Sequence, residues 1–128
     1  MDKRTRIGIV FGTGSNAAYV EAADRVKHWE DRQGDEERVC IDIEWGAFGD
    51  KGTLDFLRTE FDIELDQRSL LPGAYTFEKY IGGKYLGEAV RLVLEKLVDE
   101  GILLTKAPRS MFPQPWTLET VTVSTIEQ

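Results

Sequence analysis

The sequence predicts an α/β fold in which antiparallel strands come first and helices come after. Three observations carry this. "RIGIVFG" is a continuous apolar run rich in Ile and Val, the composition of a strand buried on both faces. "RVCIDIEW" alternates Val39, Ile41, Ile43 and Trp45 against Cys40, Asp42 and Glu44, a period of two. Beyond Thr53 the apolar residues recur every three or four positions instead, which is the helical period.

Each element has its own local reason. "NAAYVEAA" leaves the first strand through the turn "GTGS", and a connection this short makes the pair antiparallel. "RVKHWED" is a short candidate strand closed by the charged turn "RQGDEE", and "RVCIDIEW" is the next. "GAFGDKGT" carries three glycines and reads as a loop. "TLDFLRTEFDIELDQ" then places Leu54, Leu57, Phe61 and Leu65 at helical spacing, with Thr53 as N-cap. After the break "LLPG", the segment through "EKLVDEG" is helical again, and Gly82 and Gly83 divide it into two helices. Its apolar face is Leu86, Ala89, Val90, Val93, Leu94 and Leu97, and Gly101 supplies the C-cap. "KAPRSMFPQP" holds three of the four prolines and is an irregular connection. A last helix begins at Thr117, despite the β-branched residues of "TVTVSTI".

Composition narrows the function. One domain accommodates 128 residues with a real core. A net charge of −7 and a pI near 4.8 disfavour nucleic acid and anionic membrane surfaces as partners. The single Cys40 excludes an internal disulfide and a Cys-cluster metal site, which suits a cytoplasmic location. No stretch is long and apolar enough to span a bilayer. The opening strand needs neighbours that the remaining strands supply on one side only, so residues 1–128 are expected to be a single partial domain of a larger protein.

Several residues have chemistry beyond packing. Gly12 and Gly14 flank Thr13, an arrangement that permits positive φ, brings backbone amides near an anion and adds a hydroxyl donor. A plain hairpin uses the same residues. Glu44 precedes a glycine-rich loop, and its carboxylate suits either solvent or a polyhydroxy ligand such as a sugar. Asp42 shares its face, and two buried neighbouring carboxylates would raise one of the two pKa values. Glu78 and Lys84 fit an ordinary exposed helical surface. His28 beside Trp29 has no Cys or His companions and reads as structural rather than metal-binding.

Taken together, "GTGSNAAYVE", "IEWGAFGDKGTLD", "PGAYTFEKYIGGKYLGEAVRLVL" and "VSTIE" resemble the eukaryotic hexokinase and glucokinase family. The match runs in family order from about Ile7 to Glu127 and is weak over Lys106 to Trp116. The resemblance implies part of the large lobe of an actin-like ATPase (ribonuclease H-like) fold, with "GTG" as its phosphate hairpin. It implies Thr13, Gly14 and Lys84 at the ATP phosphates, and Asn16, Glu44 and Glu78 at the sugar. Glucose or a related hexose, ATP and the rest of a hexokinase polypeptide are the implied partners. Mg²⁺ would arrive with ATP, with no protein ligand assigned here.

The sequence departs from the family pattern in two places. Asp42-Ile43-Glu44-Trp45 stands where the family shows "N-T-E-W", placing an acid beside the sugar carboxylate, and Ser15 and Ala18 stand where cysteines are common. The "N-D-T"-type motif carrying the Asp general base is also absent, as are the small-domain Lys and Thr contacts, the first phosphate loop and the adenosine pocket. Losing a general base alone costs about a hundred- to ten-thousand-fold in rate, so the chain by itself is expected to be inactive. The alternative is a non-catalytic sugar-binding or interaction module derived from hexokinase.

Overall fold

Strand β1 (Ile7–Phe11) turns through residues 12–14 into β2 (Ser15–Ala22), which pairs on its other side with β3 (Arg38–Asp42). The computed structural model describes residues 5–29, 34–35, 37–106 and 108–127. Both pairings are antiparallel, so the alternation within each strand lines up across the sheet. Val10 stands opposite Asn16, and Ala18 lies between Gly8 and Asp42. Four helices come after the sheet: α1 (Glu60–Arg68), α2 (Thr76–Ile81), α3 (Gly83–Asp99) and α4 (Thr120–Glu127). Gly82 separates α2 from α3, as the double glycine predicts, and Gly101 sits at φ 69° just past α3, donating to the Val98 carbonyl at 3.1 Å.

Several expectations change. The β1 side chains are not buried on both faces, since Ile7, Ile9, Val10 and Phe11 are each more than half exposed. β1 is an edge strand, and the helices pack elsewhere. "RVKHW" forms no strand: Ala23–Arg25 is a 3-10 turn, and His28 lies exposed in the turn after it. Both edges of β2 are already taken by β1 and β3, and a strand without a partner has no ladder to join. Glu30 and Asp31 lie outside the described residues.

β3 stops at Asp42, so Glu44 belongs to no strand. Its backbone is left-handed (φ 51°), and Trp45–Ala47 is a 3-10 turn. Trp45 is drawn inward, with its ring centroid 6.0 Å from Phe11 and 5.5 Å from Phe77. That packing ends the alternation.

The first helix is capped by Thr59, not Thr53. Thr59 and Asp62 form a reciprocal capping box, while residues 55–57 make a separate 3-10 turn. α4 likewise begins at Thr120, because the Thr120 hydroxyl accepts from the Gly87 amide at 2.9 Å and donates to the Gly83 carbonyl. Thr117 stays in the preceding turn.

The core is Leu65, Tyr85 and Leu92, with Phe61 and Ala89 against it. The buried face of α3 is turned from the expected stripe and shares Ala89 with it, while Leu86 and Val93 remain exposed. Two charged residues occupy the buried face instead. Glu88 and Arg91 are each 1% exposed. Arg91 donates twice to Glu88 at 2.9 Å, and the Trp116 amide donates to the same carboxylate at 2.6 Å. Pairing and hydrogen bonding let charge sit where a lone ion would be excluded. Lys79 and Asp66 do the same between α1 and α2, with the Gly73 amide donating to Asp66 at 3.0 Å.

Candidate functional site

The turn between β1 and β2 is seated on the start of α3. The Gly83 amide donates to the Gly12 carbonyl at 2.7 Å, and the Lys84 amide donates to the Thr13 carbonyl at 3.0 Å. The first amides of a helix lack intrahelical acceptors, and here the hairpin supplies them. Gly83 permits the approach, because a Cβ there would lie 2.7 Å from the Gly12 carbonyl oxygen. Consequently the α3 N-terminus is already occupied. Among the described residues, the Thr13 and Gly14 amides and the Thr13 hydroxyl have no hydrogen-bond partner. The Lys84 side chain lies beside Tyr85, with its ammonium 5.5 Å from that ring's centroid.

The glycines of the turn serve a purpose other than the expected one. Neither Gly12 nor Gly14 takes a positive φ. At Gly14 a Cβ would stand 2.8 Å from Glu78 Oε2, so a larger residue there would displace that carboxylate. That carboxylate, carried on α2, accepts the Ser15 amide at 3.3 Å. Glu78 therefore reaches across to the hairpin rather than into bulk solvent.

Ser15 is the hub that sequence reading passes over. Buried at the start of β2, it receives the Trp45 indole N–H at 3.0 Å, and its hydroxyl donates to the Val10 carbonyl at 3.1 Å. It thus ties Glu44's neighbour and Glu78 to one strand end. Asp50 is the other overlooked residue, accepting the Tyr75 and Thr76 amides at 3.1 and 2.8 Å. Burial pushes the Asp50 carboxyl up, but the Thr76 and Tyr75 donors and the Lys79 charge hold it below the ordinary carboxylate value. Those bonds fix the N-terminus of α2 and stabilise Tyr75 at φ 58°.

Asn16 lies next to Ser15, with its side chain on the opposite face of the sheet. Its Nδ2 donates to Asp42 at 2.7 Å, and its Oδ1 accepts the Ala17 amide at 2.8 Å. Glu44 is exposed and forms no hydrogen bond or ion pair among the described residues. Asp42 is exposed too, and because β3 ends there the two carboxylates do not share a strand face. The structure thus joins Thr13, Gly14, Glu78 and the Lys84 backbone amide in one contact network, while the Asn16 side chain lies on the other face of the sheet. Glu44 stands at its edge beside Trp45.

No cluster of three or more His, Cys, Asp or Glu side chains gathers among the described residues to hold a metal. Nor is any helix of the described residues long and apolar enough to cross a membrane. A hollow of about 500 Å³ lies away from the hairpin, between α3, α4 and the proline-rich connection. Val90, Leu94, Leu104, Phe112 and Val123 line it, giving hydrophobic contact with little to bind a hydroxyl.

Comparison with known proteins places this geometry. Hexokinase-1 of Rattus norvegicus is 51% identical over 102 residues, 80% of this chain. Hexokinase-2 of the same organism is 46% identical over 127 residues, 99% of the chain. The chain spans 11% and 14% of the lengths of those relatives. The hexokinase of Schistosoma mansoni, solved in complex with glucose, superposes with a TM-score of 0.88 at 38% identity, over 98% of this chain and 28% of that one. Three antiparallel strands followed by helices are therefore part of the actin-like ATPase fold. The family model for hexokinase matches residues 6–128, and the chain belongs to the hexokinase family.

Proposed function

We propose that this chain is the sugar- and phosphate-contacting segment of an ATP-dependent hexose kinase acting on the 6-hydroxyl of glucose and related hexoses. The observation that carries the reading is the joint between hairpin and helix. It presents the Thr13 and Gly14 amides without partners while holding the Glu78 carboxylate against the same turn. Free amides suit phosphate oxygens. Carboxylates and an amide suit sugar hydroxyls, which both donate and accept. In this assignment Asn16, Glu44 and Glu78 hold the hexose, and Thr13, Gly14 and Lys84 face the phosphates of MgATP. The 6-hydroxyl oxygen attacks the γ-phosphorus and ADP leaves with the bridging oxygen. The hydroxyl proton passes to an Asp base outside this chain. Phosphoryl transfer relies on positioning from both sides of the phosphate, so the chain alone is inactive.

The similarity of the Schistosoma mansoni enzyme supplies the test. This chain is exchanged for the matching stretch of that hexokinase, and steady-state kinetics are recorded with glucose and MgATP. A working chimaera in which Glu78→Gln raises the glucose KM far more than the ATP KM supports the assignment. Equal losses for both substrates reject it. A saturable glucose affinity of the isolated chain, without phosphotransfer in any context, would favour the binding-module alternative.

A further inference from the structure

Asn16 is an expected sugar-contacting residue whose side-chain amide is already partly committed, to Asp42 through its nitrogen and to the Ala17 amide through its oxygen. An Asn side chain has two donors on Nδ2 and an acceptor oxygen with two lone pairs. Here one donor goes to Asp42 at 2.7 Å, and one lone pair is taken by the Ala17 amide at 2.8 Å. One N–H and one lone pair remain. Such a donor–acceptor pair matches a sugar hydroxyl, which needs both.

The Ala17 amide and the identity of residue 42 together decide how firmly that arrangement is held. An ionised carboxylate only accepts, so it forces Nδ2 of Asn16 toward residue 42 and Oδ1 away from it. An amide at position 42 accepts or donates equally well, so with Asn there only the Ala17 amide would still oppose the flip of Asn16. The strand register holds the two residues together: Ala18, two residues beyond Asn16 on the same face, is paired directly with Asp42. The pair lines a shallow hollow of about 420 Å³ with Gly8, Val10, Ala18 and Cys40. We infer that Asp42 is a positioning residue that locks the Asn16 amide in one orientation and so sets which hydroxyl geometry the site accepts. This rests on the hexose-site reading above.

Two measurements separate the inference from that reading. In the ¹⁵N-labelled 128-residue chain, the Asn16 side-chain amide should give one pair of well-separated proton signals, with the bonded proton downfield. Asp42→Ala should collapse the separation toward that of a solvated amide, and Asp42→Asn should keep a bonded signal but add a second, flipped set. Signals unchanged in Asp42→Ala would overturn the contact itself. In the chimaera, Asp42→Ala should raise the glucose KM about three- to tenfold, the scale of one neutral hydrogen bond. The ATP KM and kcat should stay near parent values, and Asp42→Asn should recover most of the affinity. An unchanged glucose KM, in a chimaera whose Glu78→Gln variant behaves as expected, would overturn the positioning role alone. Failure of the Glu78→Gln expectation would overturn the site reading beneath it.

Discussion

Replacing Gly83 by alanine sets two effects of opposite sign against each other. Alanine is favoured over glycine inside a helix by about 1 kcal/mol, and by less in the first turn where Gly83 sits. On propensity alone the variant gains stability. The tertiary structure argues the reverse. The new Cβ would stand 2.7 Å from the Gly12 carbonyl oxygen and 3.4 Å from its carbon, and both are backbone atoms that no rotamer change can move. Relief requires the hairpin to lift from the helix. That strains or breaks the Gly83 to Gly12 and Lys84 to Thr13 hydrogen bonds, each worth about 1 kcal/mol net. Overpacking of this kind costs about 1–3 kcal/mol, so after the propensity gain the expected net loss is about 2 kcal/mol. Urea unfolding monitored by tryptophan emission measures it, since Trp45 packs against Phe11 at the end of the same hairpin. Gly8→Ala is the control: a Cβ there meets nothing within 4 Å, and the change should be near neutral. A Gly83→Ala midpoint equal to or above the parent would refute the view that the double glycine exists for close approach.

Two further predictions concern charge. Glu88→Ala leaves Arg91 buried with only Glu95 to pair, and the Trp116 amide without its acceptor. It should cost about 3 kcal/mol, the lower end for a broken buried pair because Glu95 remains, and Glu88→Leu with Arg91→Met should recover most of the loss in the same urea assay. Asp66 sets the acid limit. Burial raises its carboxyl, but Lys79, the Gly73 amide and Arg58 outweigh that and hold it below the ordinary 3.8. A carboxyl depressed in the folded state binds fewer protons there than when unfolded. Its contribution is therefore complete above about pH 4 and disappears as pH falls through the folded value. Thermal melting at stepped pH should show a steeper acid decline for the parent than for Asp66→Asn, and parallel curves would contradict the assignment.

Residue pattern and turn chemistry alone were enough to place the hairpin, the break between α2 and α3, the end of α3 and the family itself. Those features depend on local rules or on ordered motifs: a short turn forces antiparallel pairing, and glycine stops a helix. The ordered resemblance also named the residues expected at the sugar and phosphates. What local pattern could not supply was every feature set by a partner distant in sequence. The alternation of "RVCIDIEW" runs on to Trp45 in the sequence, but the strand ends at Asp42 because Trp45 leaves to meet Ser15 and Phe77. Thr53 and Thr59 are equal as caps by residue type, and Asp62 with the packing around Leu54 selects the second. Periodicity misplaces the buried face of α3 because it scores Glu88 and Arg91 as solvent residues. Only the fold brings them together with Trp116, where mutual neutralisation makes burial tolerable. Likewise, "GTG" and "IGG" stand far apart along the chain. Gly83 is explained by the contact between them, in which a hairpin's carbonyls satisfy the bare amides of a helix start.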